Sequence, residues 1–214
     1  MKQWLLLAGF WGLGAMAASA QVRFGPEVGM SLNNYVYKLG GDNISNKLKA
    51  GVRAGVVADV KLVEGFYLQA GLQYVSKGMV MSGNYGLYKN NIQFKGTETV
   101  HYLEIPAYIV AKTGTEESRY RFLGMIGPYA AITMGGKFEN STGTAKLRIG
   151  NKAFADDMKP LDLGINFGAG IEFQNTLFMK LTSGIGLTNM QPGGNPDNAL
   201  RNRNISLTFG YLFG

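Results

Sequence analysis

Asp162–Phe173 reads Asp-Leu-Gly-Ile-Asn-Phe-Gly-Ala-Gly-Ile-Glu-Phe. Leu163, Ile165, Phe167, Ala169, Ile171 and Phe173 take the odd positions, and all are apolar. Asp162, Gly164, Asn166, Gly168, Gly170 and Glu172 take the even ones, and each is charged, polar or without a side chain. Successive side chains of a strand point to opposite faces, so this alternation predicts a β-strand. A tilted strand needs about 9–11 residues to cross a bilayer, more than the usual soluble strand of about 5–6. Glycine on the polar face suits a crowded surface, as inside a narrow barrel. The stretch therefore reads as one wall of a small transmembrane β-barrel.

Seven further segments repeat the pattern. Val22, Phe24, Pro26, Val28, Met30 and Leu32 oppose Arg23, Gly25, Glu27, Gly29 and Ser31. Leu48 through Leu62 alternate with Lys49, Gly51, Arg53, Gly55, Val57, Asp59 and Lys61. Phe66, Leu68, Ala70, Leu72 and Tyr74 face away from Tyr67, Gln69, Gly71, Gln73 and Lys77, and Leu103 to Ile109 away from Tyr102, Glu104, Pro106 and Tyr108. Tyr120–Met134 alternates poorly, and Gly127-Pro128 within it predicts a bulge or bend, since proline donates nothing to a ladder. Segments from Leu177 and from Asn204 complete the set. Their connections alternate strictly. Asn33–Lys47, Gly78–Glu98, Gly135–Lys159 and Asn189–Arg203 are long, whereas Val63–Gly65, Lys112–Ser118 and Gln174-Asn175 are short. That rhythm predicts an all-β, eight-stranded antiparallel up-and-down transmembrane barrel with short periplasmic turns and long extracellular loops.

The first twenty residues read as a secretory leader. Lys2 is its positive end, Trp4–Ala17 its apolar core and Ala18-Ser19-Ala20 its cleavage box, leaving residues 21–214 as one barrel domain. Loss of Lys2 lowers the formal net charge from +7 to +6. The cations are dispersed, so no nucleic-acid arm is expected. With no Cys and a single His, neither disulfides nor a conventional metal site is expected, and no cofactor.

Periodicity alone leaves the facing open. A soluble secreted, lipocalin-like carrier would turn the apolar faces inward around an apolar ligand. Two features favour the membrane arrangement. A solvated exterior gains nothing from glycine, and Phe66, Tyr74, Tyr120, Phe122, Phe173, Tyr211 and Phe213 gather at segment ends on the apolar face, where interfacial girdles belong.

Tyr102-Leu103-Glu104-Ile105-Pro106, Gly127-Pro128-Tyr129, Asp162 with Gly168-Ala169-Gly170-Ile171-Glu172, and Asn204–Phe213 together resemble the PorT-like outer-membrane β-barrels of Bacteroidota. The resemblance covers essentially the whole chain after the leader. It implies an eight-stranded outer-membrane barrel, with one branch of the family linked to type IX protein secretion. Barrels of this kind commonly end on an aromatic residue, whereas Gly214 follows Phe213 here.

The expected lumen holds Arg23, Lys49, Arg53, Lys61, Lys77, Arg121 and Lys180 against Glu27, Asp59, Glu104, Asp162 and Glu172. Eight strands leave room only for side chains, so these charges predict an ion-paired plug, with Arg53, Lys61 and Arg121 the candidate partners of Glu104. Ser76 and His101, on adjacent segments facing lipid, raise a third reading as an outer-leaflet lipid hydrolase, but no acid accompanies them. The leading expectation is a non-enzymatic outer-membrane protein. Its partners would be outer-membrane lipid, the outer-membrane assembly machinery and secretion or surface proteins.

Overall fold

The computed structural model describes residues 22–44, 46–87, 90–153 and 155–214, and the side chains of all of these except 82–94. The expected leader and its cleavage after Ala20 lie outside the described residues. Among the described residues ten strands follow one another: β1 (Val22–Leu39), β2 (Asp42–Ile44), β3 (Lys49–Val63), β4 (Phe66–Leu87), β5 (Asn90–Lys112), β6 (Tyr120–Asn140), β7 (Gly143–Lys146), β8 (Leu161–Phe173), β9 (Leu177–Gly186) and β10 (Ala199–Tyr211). Eight of them close a ring in chain order, each antiparallel to its neighbour, with β10 pairing back onto β1. The short β2 and β7 pair only with the far ends of β1 and β6.

The apolar faces point outward. Val28, Val56, Ile109, Ile126, Phe167, Leu181 and Leu207 are all exposed, while Arg23, Asp59, Glu104, Asp162 and Glu172 are almost wholly buried. An inward-facing apolar calyx is therefore absent among the described residues, and the lipocalin-like carrier reading is overturned. Aromatic side chains concentrate at the turn end of the ring. Phe24 and Phe213 lie 6.2 Å apart and Tyr120 meets Phe173 edge-on at 5.6 Å. At the opposite edge the outward face carries Tyr74 stacked on His101.

Two expectations are corrected. Gly127-Pro128 produces no bulge, because the register on either side, Pro106↔Tyr129 and Ile109↔Ile126, is unchanged. The shift falls instead at His101/Tyr102, opposite Gly135, whose φ of 153° suits glycine. Strand β6 does alternate in burial. Its hydropathy does not, because Leu123, Met125, Tyr129 and Ala131 are apolar residues facing the lumen. The second correction concerns Gly78–Glu98, expected as a loop. Here β4 and β5 continue their ladder to Leu87↔Asn90. The sequence loses its period there while the backbone keeps its pairing.

Glycine in the lumen has a specific use. Tyr129 lies across Gly164 and Phe178 across Gly210, each glycine being the cross-strand partner of the ring. A Cβ would stand 2.4 Å from the Tyr129 ring at Gly164 and 2.1 Å from the Phe178 ring at Gly210. Large inward rings fit a narrow barrel by lying flat on a neighbour that has no side chain.

Candidate functional site

Inward positions of all eight ring strands converge on a charged network. At the turn end, Asp59 and Glu172 are surrounded by Arg23, Lys112 and Arg121. Arg23 reaches Asp59 at 2.7 Å, and Lys112 reaches Asp59 at 2.5 Å and Glu172 at 2.7 Å. The Tyr67 ring lies among these cations, with Lys112 Nζ 4.2 Å and Arg121 5.1 Å from its centroid. Its electron-rich face and hydroxyl, which accepts from Arg121 at 2.8 Å, offset the local excess of positive charge.

Neutral amides carry the network onward. Gln69 donates to Asp59 at 3.2 Å and accepts from Lys180 at 2.9 Å. Lys180 pairs with Glu27, which accepts from Gln73 at 2.7 Å. Glu104 then sits between two cations, Arg53 and Lys77, each at 2.8 Å. Lys77 also approaches Asp162 at 3.4 Å, where Tyr129 and Asn202 donate at 3.0 and 2.9 Å. Six cations and five carboxylates thus run as one chain along the lumen, all buried. Unpaired, charges so deep would be too costly to keep ionised.

Of the cations expected beside Glu104, Arg53 is there. Arg121 belongs to the Asp59–Glu172 cluster through Glu172 at 3.4 Å. Lys61 is not in the lumen core at all. It lies half-exposed at the turn end, 2.8 Å from Glu64 and 2.9 Å from Glu116. Lys49, at the other end, is also partly exposed and donates to the Ala50 carbonyl at 3.2 Å. Lys112, expected in a turn, stands instead in the Asp59–Glu172 cluster. The even-numbered parity of Tyr102, Glu104 and Tyr108 extends to it and would have found it.

Register places Ser76 and His101 directly opposite one another. They form no catalytic pair: the His101 Nδ1 is 2.6 Å from the Tyr74 hydroxyl, and among the described residues no carboxylate hydrogen-bonds the ring.

Beyond the network an apolar cap fills the far end, where Met158 and Met190 enter from the loops after β7 and β9 to pack on Tyr35, Tyr102 and Leu200. Outside the spanning strands, Arg148 and Asp157 clasp the first of these loops. The Arg148 backbone N–H and guanidinium donate to the carboxylate at 2.8 and 3.0 Å. The Arg148 side-chain hydrogen bond holds the Asp157 carboxyl below the usual carboxylate range. A lowered folded pKa adds stability above the unfolded value, and that stability is lost as pH falls through the folded value. Amide exchange in 147–158, corrected for intrinsic rate, should therefore accelerate below about pH 4. Arg148→Ala should reproduce the effect at neutral pH. Exchange indifferent to both changes would remove the clasp.

Residues 16–191 match the family described as outer membrane protein beta-barrel domain. No curated protein matches the chain. Among solved structures, Neisserial surface protein A is similar at 9% identity and a TM-score of 0.50, over 89% of this chain and 97% of that one. The attachment invasion locus protein of Yersinia pestis aligns at 11% identity and a TM-score of 0.44, covering 90% and 99%. Outer membrane protein W of E. coli aligns at 13% and 0.39, covering 91% and 100%. At such identities, likeness concerns the fold alone. The family match spans most of the chain, and it agrees with a closed antiparallel ring that is apolar outside and charged within: the chain belongs to the outer membrane protein β-barrel domain family.

Proposed function

We propose that the protein is a non-enzymatic outer-membrane scaffold, with a structural, surface-interaction or secretion-related role rather than a solute-conducting one. The observation that carries this reading is the lumen, crossed by a continuous network of ion pairs and bridging amides and topped by Met158 and Met190. A pore needs a wetted path, and paired side chains occupy that path here. The motifs from Tyr102 to Pro106 and from Asn204 to Phe213 support a finer placement among the PorT-like barrels of Bacteroidota. On the same reading the leader is removed after Ala20 during export and the assembly machinery inserts the barrel. Its partners are outer-membrane lipid and other secretion or surface proteins.

The test is single-channel recording of refolded protein in planar bilayers, with heat-modifiable gel mobility as the check on folding. Folded protein should insert without producing a stepwise conductance. A steady open level from wild-type barrel would overturn the scaffold reading in favour of a pore.

A further inference from the structure

A cavity of about 640 Å³ lies above the apolar cap, between the loops after β7 and β9 and the far ends of β1, β4 and β5. That is within the range of about 300–1,000 Å³ usual for small-molecule sites. Its lining has two parts. Met79, Met81 and Leu200 form an apolar floor continuous with the cap, and Glu98, Asp156 and Asp157 supply the charge. Among the described residues no Lys or Arg lines it, although the chain carries a formal net charge of +7.

The three carboxylates differ in what already holds them. Asp157 is committed to Arg148 at 3.0 Å. Asp156 accepts the Lys152 backbone N–H at 2.7 Å and forms no ion pair among the described residues. Glu98 is 9% exposed; the Tyr35 hydroxyl acts on its carboxyl, but its Oε1 has no hydrogen-bond partner. Gln191 Oε1, in the same wall, is also buried without a donor. Buried acceptors left open are uncommon and costly. Here two of them border one cavity together with an aspartate that has no ion pair, so among the described residues these acceptors are short of donors and the lining carries no positive charge. A metal ion is a poor match, since among the described residues no three acidic or histidine side chains are grouped to hold one. The floor moreover offers thioether and alkyl groups where a hard ion wants oxygen.

We propose that this cavity binds a small organic cation, a protonated amine on an apolar body, with the ammonium at Glu98 and Asp156 and the body on Met79, Met81 and Leu200. The ammonium supplies three donors to carboxylate and amide oxygens that lack them. The site faces outward and is separated from the lumen network by the cap, so it stands whether or not the barrel conducts.

The probe is phenethylammonium, titrated calorimetrically into folded barrel in detergent, with 2-phenylethanol as its neutral counterpart. Wild type should bind the amine and bind the alcohol at least about tenfold more weakly, the difference a charged hydrogen bond makes. Glu98→Gln keeps the shape and removes the charge, and it should weaken amine binding by a similar factor. Ala153→Trp, from an exposed loop position on the lining, should abolish binding by filling the cavity. It leaves the barrel wall untouched, so it decides the matter if Glu98→Gln fails to fold. The proposal is overturned by an absence of amine binding, by equal binding of amine and alcohol, or by an affinity that neither substitution changes.

Discussion

Glu104→Ala lowers the unfolding free energy of the refolded barrel by about 3–5 kcal/mol, the usual cost of leaving a buried charge without its partner. Glu104 is 1% exposed and forms ion pairs with both Arg53 and Lys77 at 2.8 Å. Its removal takes a shared carboxylate from two cations rather than one. Lys77 keeps a longer contact with Asp162 at 3.4 Å, and among the described residues Arg53 keeps hydrogen bonds to Gln73 and Ser206, neither of them charged. Glu104→Gln should cost less, because its carbonyl still accepts from one cation, though the charge is gone. Urea unfolding in detergent micelles, comparing wild type with both variants, measures this. Equal stability of all three would mean that water enters the lumen and solvates the cations, and the plug would no longer be the reason for a closed barrel.

Val56→Arg should cost about 2–4 kcal/mol in a bilayer, the penalty for a cation on the lipid face at midplane. Val56 is the central residue of β3, 58% exposed, with Pro26 and Leu72 beside it in the ladder. Val63 is equally outward but stands at the turn end of the same strand. Val63→Arg should cost only about 0–1 kcal/mol, since its charge reaches the interface. The contrast in depth is the test, read by equilibrium unfolding in phospholipid vesicles. Similar penalties at both positions would mean that the outward apolar face does not sit in hydrocarbon.

Both predictions depend on facing, and facing was legible in the sequence for a physical reason. Lipid demands apolar side chains at every second position, whereas a narrow lumen demands polar or very small ones, so the two solvents write period two into the chain. Asp162–Phe173 carries it most cleanly, and register confirms it from Tyr120↔Phe173 through Ile132↔Leu161. Strand β6 shows how the signal fails. Leu123 and Met125 face inward but are apolar, because they pack on Tyr67, Tyr108 and Val110 in the lumen. Hydropathy records polarity, and burial there is decided by neighbours distant in sequence.

Local period and segment length alone set the number of crossings, the alternation of short turns with long connections, and most of the lumen charges. The pairings follow from how the ring closes. Nothing local distinguishes Lys112, in the lumen core, from Lys61, left at its edge, since that depends on where each strand leaves the ring. Nor does local pattern show that Met158 and Met190 close the far end, or that Glu98 opens onto a cavity with no cation among the described residues. Period is set residue by residue by the surrounding solvent, whereas ion pairs and cavities form only when the ring closes and brings distant strands within a few ångströms.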